Sequence, residues 1–180
     1  GEGDCFLGIR TPVLRQQAKR FQELSLSLVE KSLRSKWHEE RHCALLILVL
    51  KFQSGDEREQ LEIYQLYLAN TAYINNWDLV DCSAHYIVGA YLLQRDRQIL
   101  YQLAVSKNLW ERRIAMIATW LFIRENDLAD VIRLAEVLLD DSEDLMHKAV
   151  GWMLREMGKR DGAGLRDFLS QHYSRLPRTT

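Results

Sequence analysis

Trp37-His38-Glu39-Glu40-Arg41-His42-Cys43-Ala44-Leu45-Leu46-Ile47-Leu48-Val49-Leu50-Lys51 is the stretch whose reading decides the fold. It opens on a tryptophan and a set of charges, then carries apolar residues at helical spacing for several turns. Two further segments open the same way, Trp77-Asp78-Leu79-Val80-Asp81 and Trp110-Glu111-Arg112-Arg113. With Trp152 added, these tryptophan-led helices recur at intervals of 33 to 42 residues, and a shorter helical pattern follows each of the first three. A period near 40 with two helices per unit is the signature of a HEAT-like repeat. The expected fold class is therefore all-α, a solenoid of antiparallel helix pairs with one buried core and a concave, basic groove.

Helical periodicity extends over nearly the whole chain, and alternating strand patterns are absent. The pattern predicts helices at about 11–22, 26–35, 37–53, 57–72, 77–93, 96–105, 109–125, 128–139, 143–159 and 163–174. Thr11-Pro12 reads as a helix start, a capping hydroxyl before a proline in the first turn. Asn76, Asn108, Asp127 and Ser142 are expected to cap the helices that follow them. A single domain over 1–180 is expected, because 180 residues suffice for one well-buried core. The chain opens on Gly1 and closes on Thr180, which reads as a domain lacking N-terminal and C-terminal segments.

Composition removes several classes of function. At 47% hydrophobic and 27% charged residues the chain is of globular type. Its longest apolar run, Ala44–Leu50, is far short of the roughly 20 residues that span a bilayer. Cys5, Cys43 and Cys82 are odd in number and lack metal-type spacing, so they read as reduced thiols of a cytoplasmic protein. No metal and no cofactor is expected. His38 and His42 have ligand-like i, i+4 spacing, but a solvated or locally paired role is the expectation for both, and His147 reads as a positioning contact. There is no Gly-rich phosphate loop or nucleophile elbow.

The net charge of −1 carries no signal for nucleic acid, so the distribution of charge decides. The long helices hold Arg41, Arg112, Arg113, Lys148, Arg155 and Lys159, against Glu39, Glu40 and Glu111. The second helices and their links hold Asp56, Glu57, Glu59, Glu62, Glu136, Asp140 and Asp141. Four tryptophans have a charge one turn away on the same face: Trp37 with Arg41, Trp77 with Asp81, Trp110 with Arg113, and Trp152 with Lys148. Such pairs suit a surface that holds something flat and ionic, although an indole is equally at home in a core. Trp120, on an apolar stretch, is assigned to the core. Asp81 is the lone acid of the four. It lies a full turn into its helix, where the dipole that favours Asp78 helps less, so it either pairs with an arginine such as Arg113 or acts on a substrate.

At these residues the sequence resembles the DNA alkylation repair enzyme family, the AlkD-like HEAT-repeat DNA glycosylases. The matching stretches are Phe6–Arg15, Trp37–Leu46, Asn76–Asp81, Leu109–Ala115 and His147–Lys159, with Leu176-Pro177-Arg178-Thr179 at the close. The resemblance implies a catalytic aspartate at Asp81, lesion-side aromatic contacts at Trp77 and Trp152, and a DNA-contacting arginine at Arg113. Arg41, Lys148 and Lys159 are expected on the DNA backbone. Helices that the family carries before Phe6 and after Thr179 are not seen, and His85 stands where proline is expected in relatives.

The implied reaction is hydrolysis of the N-glycosidic bond to a cationic N3- or N7-methylated purine. A base that already carries positive charge leaves without a strong general acid, so one carboxylate near C1′ suffices to stabilise the cationic sugar and admit water. The expected partner is double-stranded DNA with alkylated bases, and a monomer with no membrane association is expected. The alternatives are a non-catalytic HEAT-like protein that binds DNA structures, which has no need of Asp81, and a protein-interaction solenoid, which has no need of arginine–aromatic pairs.

Overall fold

The structure, a computed structural model, describes residues 3–178. The beginning and end of the chain, including Thr179 of the closing motif, lie outside the described residues. All regular structure among the described residues is helical apart from one isolated bridge, Cys5 to Trp37. Among the described residues no helix is long and apolar enough to cross a membrane. The chain divides into two compact units, Gly1–Tyr91 and Leu92–Thr180.

The first unit is built round α3 (His38–Ser54). Its apolar residues recur on more than one face because α1 (Thr11–Arg20), α2 (Leu26–Leu33) and α4 (Glu57–Ala69) all pack on it. Leu45 and Leu48 are fully buried. By contrast α1 buries only Leu14 and Ala18, an i, i+4 stripe, and leaves Arg15 and Lys19 on the adjoining exposed face. Its proline falls in the first turn as expected, but the N-cap is Arg10 and the Thr11 hydroxyl caps nothing.

Residues 4–9 dock on the start of α3. The His38 N–H donates to the Cys5 carbonyl at 2.8 Å, while the Glu39 carboxylate accepts the N–H groups of Leu7, Gly8 and Ile9. Gly8 has φ of +76°, which lets three successive N–H groups converge on one acid. Burial alone pushes the Glu39 carboxyl up, but these N–H bonds outweigh it and hold its pKa below the ordinary value. Glu39 therefore organises the loop and does not oppose a basic face.

The predicted helix over 77–93 is broken. It forms α5 (Trp77–Asp81), a π-helical segment (His85–Gly89) and a short α6 (Ala90–Leu92). Ser83 supplies the cause. Its hydroxyl donates to the Leu79 carbonyl at 2.6 Å, while the Ser83 N–H turns to Val80, one residue short of α-helical pairing. Tyr67 shares the buried hydroxyl at 3.0 Å. The π segment opens at His85, the position where proline was expected.

In the second unit α8 (Leu109–Arg124) takes the central place, with Ile114 to Ala118 fully buried. The helices α7 (Gln98–Ala104), α9 (Ala129–Leu138) and α10 (Asp144–Gly158) pack on α8, and α11 (Gly162–His172) packs on α10. Arg97 donates to Asp130 at 2.6 Å and to the carbonyls of Leu92 and Leu93, with its guanidinium 3.9 Å over the Phe122 ring. Of the expected caps, Asn76 accepts from Trp77 and Asn108 from Trp110, whereas Asp127 and Ser142 give way to Leu128 and Glu143 at the N-cap positions. Asn108→Ala should lower stability by about 1 kcal/mol, read from chemical denaturation.

The long helices share one device. Arg41 donates to the carbonyl of Ser35, Arg112 to that of Ser106, and His147 lies in hydrogen-bond contact with that of Asp141, each six residues back. A side chain in each helix start thus clamps the turn that precedes it, a repeat visible in hydrogen bonds and hardly in sequence.

Candidate functional site

Asn76 sets the entry to α5 by accepting the Trp77 N–H at 2.8 Å, which leaves the Trp77 ring in solvent at 53% exposure. One turn on, half-buried Asp81 lines a cavity of about 380 Å³ within the first unit. Ala18, Leu46, Val49 and Leu50 form its apolar part, and Arg15, Lys19, Gln53, His85 and Tyr86 its polar part beside Asp81 and Cys82. Arg15 and Lys19 make no ion pair among the described residues, so two cations one turn apart on α1 remain available to an anionic ligand at the cavity that Asp81 lines. Tryptophan–charge pairing did not single out Arg15 or Lys19. The signal was present in their i, i+4 spacing around the buried Ala18.

The cavity offers one evident acid and no ready nucleophile. Burial pushes the Cys82 thiol up to about 12, and the charges of Asp78 and Asp81 act in the same direction. A protonated thiol neither attacks nor ligates, which leaves the Asp81 carboxylate as the one anionic group of the cavity, beside the His85 imidazole.

Beside this cavity the same unit carries a second polar cluster. Arg41 is 4% exposed, and its guanidinium donates to Asp4 at 2.6 Å, to Asn75 at 3.0 Å and to the carbonyls of Ser35 and Lys36. Burial raises the Asp4 pKa, but cationic partners including Arg41 outweigh it and hold the carboxyl well below its usual range. The expected backbone contact at Arg41 thus gives way to a structural one, because every direction in which its fork reaches is occupied by protein. His38 is not solvated but paired, with Asp4 on one nitrogen and Asp78 on the other. Burial pushes the His42 pKa down and keeps that ring neutral.

The other candidates lie in the second unit. Arg113 is 5% exposed and donates to the Leu145 carbonyl. Trp152 is half-buried, as are Trp37 and Trp110. Lys148 and Lys159 are exposed, paired with Asp144 at 2.6 Å and Glu156 at 2.7 Å. Such exposed pairs are weak and exchange readily for a phosphate. Arg112 is a fold residue, held by both oxygens of Asp141. Trp120, assigned to the core, is only half-buried; it lines a groove with Lys159 and Arg160, and Arg124 lies 5.0 Å over its ring.

A sequence model of the DNA alkylation repair enzymes matches residues 1–180. The chain belongs to the DNA alkylation repair enzyme family. Membership gives it a role in the repair of alkylated DNA, with DNA as the substrate class. Among solved structures the fold is similar to a predicted DNA alkylation repair enzyme from Enterococcus faecalis. That match has a TM-score of 0.77 and 18% identity, and covers 98% of this chain and 85% of the other. At that identity the likeness concerns the fold, which it establishes as an all-α repeat of helix pairs. No curated protein matches the sequence.

Proposed function

We propose that this family member is a DNA glycosylase that hydrolyses the N-glycosidic bond of cationic N3- or N7-alkylated purines in duplex DNA. The observation that carries the reading is Asp81, a half-buried carboxylate on the wall of a cavity that also presents Arg15 and Lys19. Cations suit the phosphates on either side of a lesion, and the acid suits the positive charge that develops on the sugar between them. As the C1′–N bond breaks, its electron pair leaves with the base, which becomes neutral. Water adds to C1′ from the side that Asp81 faces, and its proton passes to the carboxylate or to solvent.

Trp77 is placed one turn before Asp81 on the same helix, and its exposed indole is offered to the sugar or base, where an electron-rich face favours a cation. Trp152 and Arg113 join the proposal on the strength of the family resemblance. Lys148 and Lys159 are proposed as phosphate contacts because they are exposed, and Arg41 is withdrawn from that role. The test is release of 7-methylguanine from methylated duplex DNA by the wild-type chain, scored against unmethylated DNA. Binding without release would move the assignment to a non-catalytic DNA-structure binder.

Arg15 and Lys19 supply a separate prediction. Arg15→Ala and Lys19→Ala should each weaken binding to normal and methylated duplexes alike, and each should lower the slope of log affinity against log salt by about one. Fluorescence anisotropy at several salt concentrations measures both. An unchanged slope would remove α1 from the DNA interface.

A further inference from the structure

A cluster that the Asp81 chemistry leaves unused lies where α3 meets the start of α5. His38 and His42 stand one turn apart on α3, both 4% exposed, and Asp78 in the first turn of α5 faces them. Asp78 Oδ2 is 2.8 Å from His38 Nε2 and 3.7 Å from His42 Nδ1. One ligand atom from each of the three residues lies within 4.8 Å of the others. An ion with bonds of about 2.0–2.2 Å to imidazole and carboxylate holds neighbouring donors about 3.0–3.5 Å apart, so each atom need move by less than about 1 Å.

Three observations go beyond an ordinary histidine–aspartate hydrogen bond. First, Asp4 stands behind His38, its Oδ2 3.3 Å from Nδ1 and its side chain 3% exposed. A carboxylate on the far nitrogen is the partner that metal-bound histidines almost always have, since it fixes the ring and presents the other nitrogen's lone pair. Second, His42 Nδ1, the nitrogen that faces Asp78, makes no hydrogen bond among the described residues, and Asp78 Oδ1 is buried without one. At 3.7 Å the gap between His42 and Asp78 is too long for a hydrogen bond. Buried polar atoms left in that state are rare and call for a cause. Third, the Asp78 side chain keeps 29% of its surface exposed, which opens a way in from solvent.

We propose that His38, His42 and Asp78 form a site for one first-row divalent cation. Two imidazoles disfavour Mg²⁺ and Ca²⁺, and Zn²⁺ fits two nitrogens, one carboxylate and a water. The ion ties the start of α5 to α3, and so fixes the helix on which Trp77 and Asp81 stand. It replaces the direct His38–Asp78 hydrogen bond and gives His42 Nδ1 a partner. The expectation of no metal treats His38 and His42 as solvated or locally paired. They are the histidines of a His-Glu-x-x-His run whose Glu39 is turned to the N–H groups of Leu7, Gly8 and Ile9, and the third ligand comes from 36 residues further along the chain.

The proposal is independent of glycosylase activity and is tested without it. Chelator-treated wild-type chain is titrated with Co²⁺, followed by its visible absorption, and with Zn²⁺ by calorimetry. One ion per chain is expected, with a rise in thermal midpoint. His42→Gln removes a ligand that makes no hydrogen bond, so its helical circular dichroism should persist while affinity falls more than about 100-fold. His172→Gln, on α11, should bind as wild type does. Wild type that takes up no ion at micromolar free Zn²⁺ overturns the proposal, whatever the variants do. Equal uptake by wild type and a folded His42→Gln chain overturns it too, by placing the ion elsewhere. Should Asp78→Asn fail to fold, the His42→Gln comparison still decides.

Discussion

Asp81→Asn protein is expected to bind methylated duplex DNA about as tightly as wild type, yet to release 7-methylguanine about 100- to 1000-fold more slowly. The substitution keeps the size of the side chain and removes its charge, so it acts on the step in which the sugar becomes cationic. Asp81 lines a cavity with an apolar part formed by Leu46, Val49 and Leu50, where a fixed charge is worth more than in bulk water. Losing one preorganised contact of this kind costs roughly 3–4 kcal/mol of transition-state stabilisation, which is the rate loss stated. Single-turnover release and anisotropy separate the two effects. Asp78→Asn is the comparison: it removes the charge that faces His38 and should lower thermal stability, with a much smaller loss of rate. Melting curves accompany both variants, since unfolding would mimic a catalytic defect. Equal release by wild type and folded Asp81→Asn would eliminate the mechanism. Inactivity of both, with binding intact, would leave a DNA binder.

Neighbouring groups support Asp81 over other reactive side chains. Cys82 is next in sequence and lines the same cavity, but burial pushes its thiol up to about 12. It stays protonated at neutral pH and is a poor nucleophile. Tyr86 and Gln53 present polar atoms without charge, and the His85 imidazole is neutral or cationic and never anionic in this range of pH. The cations on α1 raise the local affinity for phosphate and cannot stabilise an oxocarbenium ion. Only the carboxylate has the sign the reaction needs.

Periodicity and capping residues make the helices legible in the sequence. The α3, α4, α8 and α10 boundaries fall within three residues of those expected. The break after Asp81 was not legible, because a serine in a helical pattern looks harmless until its hydroxyl meets a carbonyl four residues back and a buried tyrosine. Spacing of i, i+4 identifies residues on one face but not whether that face turns to solvent. Hence Trp37–Arg41 read as an aromatic–cation surface, whereas Arg41 points into its own loop. Arg15 and Lys19 went unselected for the converse reason: they have no tryptophan beside them, and their place at the Asp81 cavity depends on α1 packing on α3. Contacts made between elements distant in sequence carry no local signature.

Arg41→Met should be among the most damaging substitutions for stability, at about 3–5 kcal/mol, the range for breaking a buried ion pair by removing one partner. Methionine fills most of the volume but leaves Asp4 and Asn75, and the carbonyls of Ser35 and Lys36, without their donor. For a chain of 180 residues that corresponds to a fall in Tm of roughly 6–20 °C. The pH dependence identifies the cause. In wild type the folded-state pKa of Asp4 is depressed. Its contribution is therefore complete above the unfolded carboxylate value of about 3.9 and is lost as pH falls through the lower folded value. In the variant, Asp4 is buried without that cation, so protonation relieves the folded state. The stability gap between wild type and Arg41→Met should be widest near pH 7 and should narrow below about pH 4. Urea denaturation at several pH values measures it. A gap that stays constant down to about pH 3 would assign the loss to packing and to the loop carbonyls. No gap at pH 7 would mean that Arg41 leaves its clamp without cost, and would return it to the candidates for a DNA contact.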